Sequence, residues 1–198
     1  TIAGITHKVP EPFLVMATQN PIETEGTYPL PEAQVDRFMM KILVDYPTDE
    51  EEFVIVQRVT GPAVTVNAVA TTDQLAALQR ACRSVYVDPS LIQFAVRLVS
   101  ATRTPEKHDL KELTRFITYG ASPRASINLT EGSRALAMLR GRSYVLPEDM
   151  ADLVPDVLRH RLVLSYEALS EGLSADAIIA KITAKIPAPA KPLEHEKL

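Results

Sequence analysis

Three side chains stand where their chemistry would be useful. Asn20 follows the apolar run Phe13-Leu14-Val15-Met16, so an amide is placed at the end of a segment that reads as a buried strand. Arg37 lies near the end of Leu30 to Phe38, which reads as a short helix. Arg124 follows Ser122-Pro123, a pair that starts a helix with serine as N-cap and proline at the first helical position, and so falls in the first turn. An amide can hold a water through its carbonyl and a phosphate oxygen through its NH2. In open α/β sheets ligands bind beyond the carboxyl ends of the strands, where Asn20 would sit. An arginine at a helix end can reach a neighbour's γ-phosphate and neutralise charge in the transition state. A cation in the first turn of a helix forgoes about 0.3–1 kcal/mol of dipole stabilisation unless an anion compensates. Glu131 is nearly two turns further along, and a bound phosphate would resolve the mismatch.

Each residue also has an ordinary reading. Asn-Pro is a common turn dipeptide, and an arginine suits a helix C-terminus. Asp36, beside Arg37, could hold the guanidinium or simply be solvated.

The elements that must position these residues follow from pattern. The run Phe13 to Thr18 is apolar on consecutive residues, as in a strand buried on both faces, and Met39 to Val44 reads the same way. With the short helix between them they make one strand-helix-strand unit of an α/β sheet. Thr1 to Val9 carries a weak hairpin signal. Composition then turns helical. Thr48 with Glu51 forms a capping box that opens a helix closed by Gly61-Pro62, and Thr71 with Gln74 opens the next. Asp88-Pro89, Ser122-Pro123, Pro147-Glu148-Asp149 and Ser174 begin four more. The segment Arg161 to Tyr166 reads as a short strand or an extended piece. The expected fold class is α/β plus all-α: 1–46 the end of an α/β core, 47–62 a linker helix, 63–186 a helical domain, and 187–198 a disordered tail.

Composition excludes several classes. Of 198 residues, 46% are hydrophobic and 23% charged, with a net charge of -4, so a broad basic surface for nucleic acid is not implied. Cys82 is the single cysteine; no intrachain disulfide is possible, and its neighbours Leu75, Leu78 and Ala81 predict a buried structural thiol. No apolar stretch approaches a membrane span and no signal-like N-terminus is present, so the expectation is a cytoplasmic protein. Asp45 ends an apolar strand as a Mg²⁺-binding aspartate does, but Tyr46-Pro47 follows where a catalytic glutamate would be wanted. His108 and His160 have no second ligand at metal spacing, and no metal site is expected. Ser126, Ser133 and Ser165 lack a histidine and glycine-elbow context. The seven glycines form no G-x-x-x-x-G-K-[ST] loop.

Taken in order, these signals are specific. The stretch Phe13 to Pro47, with ATQNPIETEGTYPLPEAQVDRF at its centre, closely resembles the MoxR family of AAA+ ATPases, and GASPRAS, ALAMLRGRSYVLPEDM and VLRHRLVLSYEALSEG resemble that family's helical lid. The resemblance implies the C-terminal remnant of an AAA+ P-loop NTPase core followed by its lid. It implies that Asn20 is sensor 1, positioning the attacking water together with a Walker B glutamate. It makes Arg37 the arginine finger, acting in trans on ATP held by an adjacent subunit, and Arg124 sensor 2, reaching the γ-phosphate of its own subunit. It implies ATP and Mg²⁺ in a parent protein whose Walker A and Walker B motifs lie upstream of Thr1, so this chain alone would hydrolyse nothing. It further implies a ring of subunits, hexameric by expectation. Its clients would be proteins remodelled or matured by chaperone-like action, among them ones with von Willebrand A domains. Two alternatives are a magnesium-chelatase-like subunit and a non-enzymatic helical interaction module.

A truncated sheet would expose the apolar runs Phe13 to Met16 and Ile42 to Val44, so the isolated chain is expected to self-associate or exchange segments. Sedimentation over a concentration series checks this, and a monodisperse monomer at high concentration contradicts it.

Overall fold

The computed structural model describes residues 4–19 and 30–189. Contacts divide the chain into two units, one of residues 1–29 and 45–81, the other of residues 30–44 and 82–198.

In the first unit, α2 (Asp49–Thr60) begins with the expected capping box: the Thr48 N–H donates to Glu51 at 2.9 Å and the Glu51 N–H to Thr48 Oγ1 at 3.3 Å. Thr71 and Gln74 make the same reciprocal pair ahead of α3 (Thr72–Arg83). Neither helix contains a buried residue. The strand expected at 13–18 does not form; Leu14 and Met16 are 79% and 84% exposed. A strand is defined by the neighbour it bonds to, and no neighbour is present for this one among the described residues. The hairpin expected at 1–9 lies partly outside the described residues, and 6–10 carry no strand.

The second unit holds the core. Before it in sequence, α1 (Glu32–Val35) is a single turn, shorter than the helix read over Leu30 to Phe38. The strand expected at 39–44 is again absent, and Ile42 and Val44 are 66% and 90% exposed. Four longer helices build the body: α4 (Pro89–Arg103), α5 (Pro123–Leu139), α6 (Pro147–Leu158) and α8 (Ala175–Lys185). Their starts match the sequence signals, with Asp88 accepting from the Ser90 N–H, Ser122 from Arg124 and Ser174 from Ala177. The centre is filled by Leu91, Leu98, Leu113, Leu129, Met150 and Ile178, each fully buried or nearly so. Cys82 is half-buried rather than buried, and Leu75 and Leu78 are exposed, so the apolar side read from this helix is not packed into a core. Two 3-10 segments (Pro105–His108 and Lys111–Phe116) lead from α4 to β1 (Ile117–Tyr119), which pairs antiparallel with β2 (Val163–Leu164). The short helix α7 (Tyr166–Ser170) follows β2. The extended piece read at Arg161 to Tyr166 is therefore β2, while β1 and α7 carry too few residues for a readable period.

The turn between α5 and α6 is fixed at both ends. Gly141 (φ +75°) ends α5 in a Schellman motif, with N–H groups of Arg142 and Gly141 donating to the carbonyls of Ala137 and Met138 at 2.9 Å each. The fully buried Asp149 then accepts from Arg142 (2.5 and 2.7 Å), from Arg140 (2.8 Å) and from the Leu146 N–H (2.8 Å). Burial acts to raise its pKa, but these donors outweigh that and hold it below the usual carboxylate value.

The start of α5 depends on a close approach. A Cβ on Gly120 would lie 2.3 Å from the carbonyl oxygen of Thr102, and the next N–H, of Ala121, donates to the buried Thr102 hydroxyl at 2.9 Å. Only glycine lets the chain pass α4 there and enter α5 at the required angle. Gly120→Ala is therefore expected to lower the stability of the helical unit by about 3 kcal/mol, read as a shifted urea midpoint by circular dichroism; a shift equivalent to less than about 1 kcal/mol would show that α5 is not set by this contact.

Candidate functional site

The anion that the first turn of α5 lacks in the local sequence comes from far away in the chain. Asp36, immediately after α1, lies at the α5 N-terminus. The Arg124 Nη1 donates to its Oδ2 at 2.8 Å, and the Ser122 hydroxyl stands 2.9 Å from both carboxylate oxygens. Ser122 in turn accepts from the Arg124 N–H at 3.2 Å, closing the N-cap. A carboxylate at a helix N-terminus is favoured by the dipole and also cancels the misplaced charge of Arg124. The position of Arg124 therefore has a structural explanation, and the dipole mismatch alone does not call for a phosphate. Of the two readings of Asp36, the one in which it holds a guanidinium is the one observed, but the guanidinia are those of Arg124 and Arg161, not of its neighbour.

Arg161 completes the cluster and was not singled out by sequence. Its side chain is fully buried, and all five N–H donors have acceptors. Nε donates to Asp36 Oδ1 at 3.1 Å; Nη2 donates to the carbonyls of Asp36 (3.0 Å) and Phe38 (2.6 Å); Nη1 donates to the carbonyls of Met39 (3.2 Å) and Val157. The two residues before it reach the same stretch of chain. Arg159 donates to the Lys41 carbonyl at 2.6 Å, and the His160 Nε2–H to the Phe38 carbonyl at 3.2 Å. Lys41 returns a bond from its N–H to the Asp156 carbonyl at 2.8 Å. Residues 36–41 thus form a strap across the end of α6, and strap and arginine together supply donors to the carbonyls that the helix leaves open in its last turn.

The electrostatics follow from this geometry. Burial acts to raise the Asp36 pKa, but hydrogen bonds from Arg124, Ser122 and Arg161, with the Arg161 charge, leave it below the usual carboxylate value. Burial pushes Arg161 below its ordinary value, with Asp36 opposing. Burial and the Arg161 charge also push His160 below its ordinary value, and its buried Nδ1 has no hydrogen-bond partner among the described residues.

Arg37 is exposed, and its side chain makes no hydrogen bond or ion pair among the described residues. Arg124 is 54% exposed on its outer side. The structure therefore brings Arg124 beside the chain neighbour of Arg37 on one body. Asn20 lies outside the described residues. Three of the other chemistry-bearing residues have structural employment. His108 Nε2 is 3.2 Å from Ser100 Oγ, Ser133 bonds back to the Leu129 carbonyl, and Ser165 caps α7. Among the described residues no group of three or more His, Cys, Asp or Glu could hold a metal ion, and no helix is long and apolar enough to cross a membrane.

Two family models match the chain: the ATPase family associated with various cellular activities (AAA) over residues 1–40, and the AAA lid domain over residues 110–182. The chain is 45% identical over 189 residues to Chaperone MoxR1 of Mycobacterium tuberculosis, covering 96% of this chain and 50% of that protein. It is 40% identical over 191 residues to the uncharacterized protein YeaC of Bacillus subtilis, covering 96% and 57%. A crystal structure from Cytophaga hutchinsonii, of a protein assigned as an ATPase, superposes with a TM-score of 0.90 at 42% identity, covering 96% of this chain and 58% of that one. The chain thus spans about half the length of the curated relatives it matches. Its first 40 residues and its lid match separate parts of one ATPase architecture, in the order that the sequence motifs indicated.

Because its folded pKa is depressed, Asp36 contributes stability that is fully present above the unfolded value of about 3.9 and is lost as pH falls through the folded value. Thermal melts of wild type and Asp36→Asn are expected to differ at pH 6, and the difference to shrink as pH falls below about 3.9. A difference that persists unchanged to pH 3 would remove the carboxylate charge from the account.

Proposed function

The chain belongs to the MoxR family of AAA+ ATPases, and on that premise we propose that it is the sensor 1-to-lid portion of an enzyme that hydrolyses ATP to ADP and phosphate to remodel or mature partner proteins. The observation that carries this reading is that Arg37 and Arg124, placed in the order of the family's motifs, both stand exposed on one body, with Asp36 adjacent to the first in the chain and bonded to the second.

In this reading the chemistry is phosphoryl transfer to water, achieved by positioning and by charge neutralisation. Asn20 orients the attacking water. Arg37 reaches the γ-phosphate of ATP held by an adjacent subunit and offsets the charge that grows there. Arg124 contacts a γ-phosphate, exchanging the Asp36 carboxylate for it, so that occupancy of the nucleotide site is felt at the start of α5. Segments 1–46 and 63–186 serve as core remnant and lid, 47–62 as the link, and 187–198 as a tail, with residues 30–44 grouped by contact with the lid helices and 63–81 with the first unit. AAA+ ATPases use Mg²⁺ with the nucleotide. The described residues do not fit a Mg²⁺ site, since no acidic cluster is present among them and Asp36 and Asp149 are taken by arginines. The working assembly is a ring, hexameric by analogy, and the clients include proteins with von Willebrand A domains; both rest on the family alone.

The test is steady-state ATP hydrolysis by the parent protein, with Asn20→Ala, Arg37→Ala and Arg124→Ala compared against wild type. Each is expected to lose at least about tenfold, or about 1.4 kcal/mol of transition-state stabilisation, and the present chain alone is expected to show no turnover. Three variants that match wild type would sink the phosphate site and leave a helical interaction module.

A further inference from the structure

Arg161 has no assigned part in nucleotide chemistry, yet it is the most completely bonded side chain around the candidate site. Four of its five hydrogen bonds end on residues 36–39, on either side of Arg37. Three of those four acceptors are main-chain carbonyls, so what Arg161 specifies is the path of the backbone and not the identity of its neighbours. Arg37 itself projects from this stretch, exposed and with no partner of its own among the described residues. Its direction is set by the backbone that carries it, and Arg161 holds that backbone through the Asp36 carbonyl just before Arg37 and the Phe38 and Met39 carbonyls beyond it, while the Phe38 N–H donates to the Val35 carbonyl.

We infer that Arg161 is a positioning residue for Arg37, and that Asp36 is its partner in that task. The inference rests on the reading of Arg37 as a group that acts on a neighbouring subunit's ATP. A guanidinium is required because its five donors spread in a plane over separate acceptors; an ammonium has three donors at one point and cannot span the same carbonyls. A purely stabilising role explains less. A buried ion pair rarely improves on a packed apolar side chain, and its better-attested use is to fix one arrangement among several. Arg159 and His160 bond to Lys41 and Phe38 beyond it, so the strap is registered at several points along its length. The finger segment then travels with the helical body that carries Arg124, because both are tied to Asp36.

The experiment mixes two kinds of parent subunit. The recipient carries Arg37→Ala and keeps its nucleotide site; the donor carries Asn20→Ala, is inactive itself, and keeps Arg37. The donor is expected to restore turnover to the recipient. Adding Arg161→Lys to the donor is expected to lower the restored kcat at least about tenfold, as for a small misplacement of a catalytic group, while KM for ATP changes less than about twofold because the recipient's site is untouched. If the unmodified donor restores nothing, the finger reading falls and the inference with it. If the donor with Arg161→Lys restores as much as the unmodified donor, the inference alone is overturned. A loss seen in KM as much as in kcat also overturns it, since that marks general damage. Should Arg161→Lys subunits fail to assemble, donor Asp36→Asn carries the test. A loss of restored kcat of at least about threefold supports the inference, and full restoration overturns it.

Discussion

The helical body depends on one buried charge. Moving a guanidinium out of water costs several kcal/mol, and the interior accepts it only where opposite charge and hydrogen bonds replace the lost hydration. Arg161 meets that condition in full, with one carboxylate and four carbonyls around it. The constraint works in both directions. The strap cannot move away without stranding a buried cation, and the cation cannot be accommodated without the strap. The last turn of α6 gains too, because the Val157 carbonyl is satisfied by Arg161 and the Asp156 carbonyl by the Lys41 N–H. Arginines 159 and 161 at that end also face the negative pole of the helix dipole.

Asp36 extends the same constraint to the start of α5. It carries three donors and sits between two cations, one buried and one half in water. The inner pair with Arg161 is structural. The outer pair with Arg124 lies closer to solvent, where screening and side-chain entropy leave an ion pair worth little. Asp36 therefore has a permanent partner and an exchangeable one. An arrangement of that kind keeps Arg124 ordered without committing it, as the proposed contact with a γ-phosphate requires.

Local chemistry in the sequence was sufficient for the helix starts. Thr48 with Glu51, Thr71 with Gln74, Asp88-Pro89, Ser122-Pro123 and Ser174 all act as read, because a cap is decided by residues within one turn of each other. The runs 13–18 and 39–44 show the opposite case. Their apolar residues suit a sheet interior, but whether they become strands depends on neighbours that a linear pattern does not contain. The site divides the same way. Arg37 and Arg124 could be picked out by motif order, whereas the bond from Arg161 to Asp36 joins residues 125 positions apart and leaves no periodic trace. Arg161 follows Arg159 and His160 in sequence, and its full burial is a property of the folded body alone. A weak signal was present: a cationic run directly after an apolar helix end and directly before a strand has little solvent to face.

The strap also bears on what counts as a folding unit here. Residues 30–44 and 82–186 share the buried arginine and its acceptors, while 45–81 cluster elsewhere. The body is therefore discontinuous in sequence, and the intervening stretch behaves as an insertion within it. Closing a loop of that length adds an entropic cost that grows only slowly with its size, so the interruption is tolerable. The order of events during synthesis is less free. The strap leaves the ribosome long before Arg161 does, and its bonds to the end of α6 can form only once that end exists. A body cut out by drawing a line after residue 44 or residue 81 would retain the arginine and lose four of its five acceptors.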